Sequence, residues 1–345
     1  MLILTAPGQG AQTPGFLSPW LELPGLADQL GAWSELAGRD LVRLGTAGSA
    51  EEITDTSVAQ PLLVAAALAV AGLIVESSSF CPDLQGFDGS EPPKRRGLAA
   101  DVAAGHSVGE LAAGAIAGVM SAEDAIALTR VRGEAMAAAC GAEPTGMSAV
   151  LGGEESVVLA AIADAGLTPA NVNTAGQIVA GGTLEQLAAF AASPPAGARV
   201  RPLRVAGAFH TSHMAPAVDA LAAAAAGITV KDPAITLLSN RDGAVVTAGA
   251  DWLDRIVSQV ANPVRWDRCM ATMAAIGVTA LIELAPGGTL TGMAKRALPG
   301  IELLAMKTPD QLDAARAMVA EHAGAPGHAP PPGNTAPGHV EPREQ

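Results

Sequence analysis

Residues 98–119 read LAADVAAGHSVGELAAGAIAGV. An apolar run leads into Gly105-His106-Ser107-Val108-Gly109, and an Ala-rich helix former follows. That is a strand, a sharp turn and a helix, with a G-x-S-x-G pattern on the turn. The glycines let the chain reverse tightly while its backbone closes on itself. Ser107 then sits at a helix N-terminus with its hydroxyl exposed, where nearby N–H groups could receive an oxyanion. The pattern reads as a serine nucleophile.

Outward from this turn the chain reads as α/β. LILTA (2–6) is a buried strand ending at Pro7-Gly8. Gln60-Pro61 opens PLLVAAALAVAGLIV, apolar all round and so a buried helix. Ser121 caps the next helix, with Asp124 completing a capping box, and that helix runs to about Ala139. From about residue 147 strands and helices alternate as β-α-β-β-α-β, the ferredoxin-like order. After residue 210 the α/β pattern resumes with a strand at ITLLSN, a helix near 250–260, a strand at ALIELAP and an amphipathic helix near 309–322. Residues 77–97 read as a surface loop, and the Pro/Gly/His-rich stretch 323–345 as a disordered tail.

The 345 residues suffice for two domains or one large domain with an insert. A net charge of −14 argues against non-specific nucleic-acid binding. Cys81, Cys140 and Cys269 show neither zinc spacing nor a disulfide framework, so they read as free thiols in a reducing compartment. The start MLILTAPGQG lacks a basic n-region, and no stretch reads as a clean apolar span of about 20 residues. The expectation is a cytoplasmic protein without membrane association.

A serine nucleophile needs a base. Of six histidines, His322, His328 and His339 lie at or in the tail, and His106 adjoins the serine on a sharp turn. His210 or His213, in GAFHTSHM, is the base by elimination. Arg132 stands out separately. It shares a helix face with Ala125, Leu128, Ala135 and Ala139, so it interrupts an apolar stripe, whereas Arg130 faces solvent. A core-facing Arg without an acid on its stripe calls for a partner, and a ligand carboxylate is the simplest one.

Five motifs in order then resemble the malonyl-CoA:acyl-carrier-protein transacylase family. They are P-G-Q-G-A-Q (7–12), G-H-S-V-G-E (105–110), V-R-G (131–133), G-A-F-H (207–210) and N-P-V-R-W (262–266). The resemblance spans about residues 3–310. It implies an α/β-hydrolase-like large domain (1–140 and 206–322) with an inserted ferredoxin-like small domain (141–205). It implies Ser107 as the acylated nucleophile and selects His210 as base. Gln9 lies near the oxyanion hole, the Val108 N–H is an oxyanion donor, and the Gln259 main-chain carbonyl orients the histidine. Arg132 becomes the malonyl-carboxylate clamp. Gln60 and Asn173 line the pocket, and Phe209 fills space a methylmalonyl branch would need. The implied substrates are malonyl-CoA and an acyl carrier protein, serving fatty acid or polyketide synthesis, with a coenzyme A thioester as substrate and no cofactor or metal. Lys94-Arg95-Arg96 and Lys295-Arg296 are candidate docking charges. The competing readings are a serine hydrolase or thioesterase, and a transferase for another acyl-CoA such as methylmalonyl-CoA.

Overall fold

The computed structural model describes residues 1–75, 100–141 and 143–324. The 77–97 loop, with Cys81 and Lys94-Arg95-Arg96, and the tail beyond Gly324 lie outside the described residues. The strands are β1 (Leu2–Ala6), β2 (Val102–Gly105), β3 (Thr145–Gly152), β4 (Thr168–Thr174), β5 (Gln177–Thr183), β6 (Ala198–Pro202), β7 (Thr236–Leu238), β8 (Val245–Val246), β9 (Val264–Arg265), β10 (Ala280–Glu283) and β11 (Glu302–Ala305). They form two sheets.

The first sheet runs β11-β10-β1-β2-β7-β8 and is parallel except for the β7–β8 pair. β1 and β2 are buried along their whole length, which is why each reads as an unbroken apolar run. Two glycines set the turn after β2. A Cβ on Gly105 would fall 2.0 Å from the Gly109 carbonyl carbon, and one on Gly109 would fall 2.2 Å from the Ala6 carbonyl oxygen. Only hydrogens fit at either place. The helix Gly109–Ile116 follows at once.

The apolar helix begins earlier than its sequence suggests, at Thr56, and runs to Ile74. Asp55 caps it through the Ser57 N–H, and the Val58 and Ala59 N–H groups donate to the Asp55 carbonyl. These bonds satisfy the helix start five residues before Pro61. The nineteen-residue helix is thus long and apolar enough to cross a membrane by length and composition, contrary to the sequence expectation. Fifteen of its residues are buried inside the protein, so it serves as the core helix.

Helix Ala122–Cys140 packs against it, and Ser121 caps the latter by accepting the Asp124 N–H at 2.9 Å. The Ser121 hydroxyl donates to the Asp124 carboxylate rather than closing a full capping box. Gly133 carries the close approach: a Cβ there would meet the Thr56 carbonyl oxygen at 3.0 Å. The neighbouring Arg132 is thereby sunk between the two helices.

The second sheet runs β6-β3-β5-β4-β9. β3, β4, β5 and β6 pair antiparallel, with helices Glu155–Asp164 and Leu184–Ala192 after β3 and β5. Val150, Val158, Ile162, Val172, Leu187 and Phe190 form a separate apolar cluster there. β9, from the N-P-V-R-W segment, joins this sheet parallel to β4 although it is remote in sequence. The amphipathic helix near the end is a 3-10 turn, Pro309–Gln311, continuing as α-helix Leu312–His322.

Candidate active site

Ser107 stands between β2 and the elbow helix at φ 52°. Its N–H donates to Asn240 Oδ1 at 2.7 Å, and Asn240 Nδ2 donates to the Gly105 carbonyl at 2.7 Å. One amide from the end of β7 therefore pins both sides of the turn. The Ser107 N–H is thereby occupied, which leaves the Val108 N–H as the next amide at the helix start.

His210 Nε2 lies 2.7 Å from Ser107 Oγ. His210 Nδ1 faces the Gln259 main-chain carbonyl at 2.8 Å. A carbonyl only accepts, so Nδ1 carries the proton and Nε2 is free to receive the serine proton. His213 points elsewhere, 3.2 Å from a Glu143 carboxylate oxygen. The geometry thus separates the two histidines that composition left open. His106 also turns away from the serine. Its Nε2 lies 2.8 Å from Asn173 Oδ1, and its ring meets Trp266 edge-on.

Arg132 is 1% exposed. Nη1 donates to Gln60 Oε1 at 2.6 Å, and Nη2 donates to Gln259 Oε1 at 2.8 Å and to Ser107 Oγ at 3.4 Å. Its Nε is buried with no hydrogen-bond partner among the described residues. All three partners are neutral, so the guanidinium faces the Ser107 hydroxyl with its charge unpaired at contact range.

Gln9 sits in the turn after β1, packed on the elbow: a Cβ at the adjoining Gly8 would meet the His106 carbonyl oxygen at 2.8 Å. The Gln9 side chain donates away from the serine, to the Thr54 carbonyl and Thr56 Oγ1. Val108 is buried at the start of the elbow helix, and Phe209 is buried in the main core beside His210. Gln60 reaches the site through Arg132, and Asn173 through His106.

An acyl transferase domain model matches residues 92–321. A malonyl CoA-acyl carrier protein transacylase of Mycobacterium tuberculosis is 56% identical over 315 residues, 91% of this chain and 98% of that protein. The chain belongs to the malonyl-CoA:acyl-carrier-protein transacylase family. The crystal structure of MCAT from Mycobacterium tuberculosis superposes with a TM-score of 0.83 at 55% identity, covering 92% of this chain and 99% of that one. A further match, at TM-score 0.78 and 28% identity over 92% of this chain and 99% of the other, is PlMCAT in complex with AntF, a type II PKS acyl-carrier protein.

The transacylase site contains two polar residues to which the sequence reading gave no role. Asn240 is fully buried two residues past the end of β7. The carboxyl ends of parallel strands are where α/β folds place their sites, and a polar Asn closing the apolar run ITLL was the available signal. Glu110 is the acid of G-H-S-V-G-E, one turn past the serine and 1% exposed. Burial pushes its carboxyl up to about 7, against hydrogen bonds from Asn240, Ser239 and Gln259 and the Arg255 charge. Burial and then the Arg132 charge push the His210 imidazole down to about 3, so the imidazole is neutral at neutral pH. Burial also lowers Arg132, to about 10, which leaves it cationic at neutral pH.

Proposed function

We propose that the chain moves a malonyl group from malonyl-CoA to the phosphopantetheine thiol of an acyl carrier protein through an acyl-serine at Ser107. The observation that carries this reading is the buried Arg132 cation, with neutral partners only, 3.4 Å from the Ser107 hydroxyl. A carboxylated acyl chain supplies an anion in direct contact, which Glu110, acting on Arg132 from behind the Gln259 amide, does not.

The steps follow from the donors present. His210 Nε2 takes the Ser107 proton as Oγ attacks the thioester carbon. The oxyanion lies at the elbow, where the Val108 N–H and the turn carrying Gln9 are the proposed donors. Collapse expels the coenzyme A sulfur, which takes the proton from the imidazolium. The carrier thiol then repeats the sequence in reverse sense and leaves with the malonyl group. The Gln259 carbonyl holds the imidazole in the required tautomer, so an acidic third member has no place in the scheme. Substrate binding also acts on the base: burial depresses His210 most, and a malonyl carboxylate on Arg132 offsets the second cause, the Arg132 charge. The chain's side-chain and main-chain groups, with the thioester and the accepting thiol, carry every step.

The strand order β6-β3-β5-β4, with its two helices, supports a ferredoxin-like small domain at 141–205, and the parallel sheet with its serine elbow supports an α/β-hydrolase-like remainder at 1–140 and 206–322. Free Cys140 and Cys269 support a cytoplasmic setting. An acidic carrier would dock on a local basic surface. Lys295 and Arg296 are exposed, with Arg296 donating to Gln177 of β5. Fatty acid and polyketide carriers share the same thiol, and the PlMCAT–AntF complex makes the second a natural partner class.

The test is intact-protein mass measurement after mixing with malonyl-CoA. A single malonyl adduct should form on Ser107 and pass to a holo carrier protein much faster than to water. Discharge to water at the same rate as to the carrier would make the chain a thioesterase.

A further inference from the structure

Glu110 has no part in the acyl-transfer steps, yet it is a carboxylate with 1% exposure directly behind the site. Burying a carboxylate is costly unless donors satisfy its oxygens. Oε1 accepts the Asn240 N–H at 3.1 Å, and Oε2 accepts Gln259 Nε2 at 2.5 Å. The other end of the same Gln259 amide, Oε1, accepts Arg132 Nη2 at 2.8 Å.

The two ends of a primary amide are chemically opposite. Turned over, Gln259 would aim N–H at the guanidinium N–H and its oxygen at the carboxylate, so both contacts would repel. An ionised Glu110 accepts only, so it permits one orientation. The longer 3.4 Å contact from Gln259 Nε2 to Asn240 Oδ1 acts in the same sense. Burial favours the neutral acid, and the hydrogen bonds from Asn240, Ser239 and Gln259 and then the Arg255 charge oppose it; Arg255, with Arg241, Arg265, Glu110 and Gln259, lines a cavity of about 290 Å³.

We propose that Glu110 is a positioning residue for substrate choice. Its carboxylate fixes the Gln259 amide, and through it the Arg132 guanidinium, in the orientation that receives the carboxylate of the acyl group. The proposal rests on reading Arg132 as the carboxylate clamp. It also separates two functions of Gln259. The main-chain carbonyl serves His210 and the side chain serves Arg132. Disturbing the side-chain orientation therefore leaves the route to the base in place.

The experiment measures acyl-enzyme formation from malonyl-CoA and acetyl-CoA at pH 8 for wild type, Glu110→Gln, Arg132→Ala and the double variant. An amide at 110 has one accepting oxygen for two donors, so it frustrates either Asn240 or Gln259. Glu110→Gln should lower the malonyl-to-acetyl ratio of kcat/KM about tenfold, the equivalent of one charge-assisted hydrogen bond, with the acetyl rate within about threefold of wild type. With Arg132 already Ala, Glu110→Gln should change the ratio no further. Equal losses with both thioesters, while Arg132→Ala still shifts the ratio, would overturn the role of Glu110 alone. A ratio unmoved by Arg132→Ala would instead sink the clamp reading, and the Glu110 proposal with it. If Glu110→Gln does not fold by circular dichroism, Glu110→Asp takes its place under the same criteria, since it keeps the charge and loses a methylene of reach.

Discussion

Ser107 and His210 are the two non-glycine residues at positive φ among the described residues, at 52° and 60°, and their reacting atoms lie 2.7 Å apart. A left-handed backbone costs an L-residue roughly 1–2 kcal/mol. Both residues carry it because the surrounding structure over-determines them. The Ser107 N–H is held by Asn240 Oδ1 at 2.7 Å, and the His210 N–H by the Val260 carbonyl at 3.1 Å. The strain sits on the two partners of the proposed proton transfer, whose side chains meet at hydrogen-bond distance.

Ser107→Ala and Ser107→Gly should both lose the malonyl adduct. Their stabilities should differ. Glycine adopts positive φ without a Cβ penalty, so the Gly variant should be the more stable by about 1 kcal/mol. Urea unfolding of the pair reads this directly. Equal midpoints would mean that the elbow is relaxed.

The buried His210 imidazole predicts a pH signature. His210 titrates near 3 in the folded protein and near 6.5 when unfolded. Between those values the unfolded state binds more protons, so this group's contribution is complete above about 6.5 and is lost as pH falls toward 3. Glu110, raised to about 7 from 4.5, acts in the opposite direction, because its contribution is present at low pH and is lost as pH rises from 4.5 through 7. The two partly cancel in wild type. His210→Ala removes one of them. The variant should gain on wild type by on the order of 1 kcal/mol per pH unit as pH drops from 6.5 to 4.5. Denaturant unfolding at three pH values tests this, and a constant difference would refute the neutral buried imidazole. Acylation by the variant should fall at least about 100-fold, whereas His213→Ala, at the surface beside Glu143, should lose little.

Much of this arrangement was legible in the sequence where one local pattern carried the information. β1 and β2 are apolar because both faces are buried. Arg132 was legible because helical periodicity placed it on a buried stripe. The choice between His210 and His213 was not, since it depends on a loop path that turns at φ 60°. Asn240 escaped for a similar reason: its partners, Gly105 and Ser107, are main-chain groups more than 130 residues away. Helices Leu41–Ala47 and Ala50–Thr54 are too short to show a period, and β8 and β9 have two residues each. The Gln259 carbonyl follows only from the family resemblance, and its side-chain link to Arg132 joins residues 127 apart in the chain.

Glu283 offers a stability test away from the chemistry. It is fully buried at the end of β10 and accepts the N–H groups of Gly288, Thr289, Leu290 and Thr291, with the Thr291 hydroxyl as a fifth donor. Those amides open the helix Thr289–Ala297, so one carboxylate satisfies the start of that helix. Glu283→Ala leaves the buried Leu290 N–H and the part-buried donors beside it without their acceptor and should cost about 1–3 kcal/mol. Glu283→Gln keeps one accepting oxygen and should cost less. Thermal melts of the two variants check the order, and an Ala variant as stable as wild type would show that water replaces the carboxylate.

Arg132 carries the substrate assignment. Its guanidinium is buried, cationic at neutral pH and bonded to two amide oxygens and the serine hydroxyl, while its Nε has no hydrogen-bond partner among the described residues. A malonyl carboxylate would provide the anion that these neutral groups do not. Arg132→Ala removes a charge-assisted contact worth about 1.5–3 kcal/mol, or roughly 10- to 100-fold in malonyl transfer. Acetyl-CoA brings no carboxylate, so it has no such contact to lose. It should even gain, because an acetyl group in the wild-type pocket faces a desolvated cation and also leaves His210 under the full Arg132 field. The preference for malonyl over acetyl should collapse or invert. Acyl-enzyme formation with each thioester, on wild type and variant, gives the answer. If both rates fall by the same factor, Arg132 holds Gln60 and Gln259 in place without touching substrate, and the choice of malonyl must come from elsewhere in the pocket.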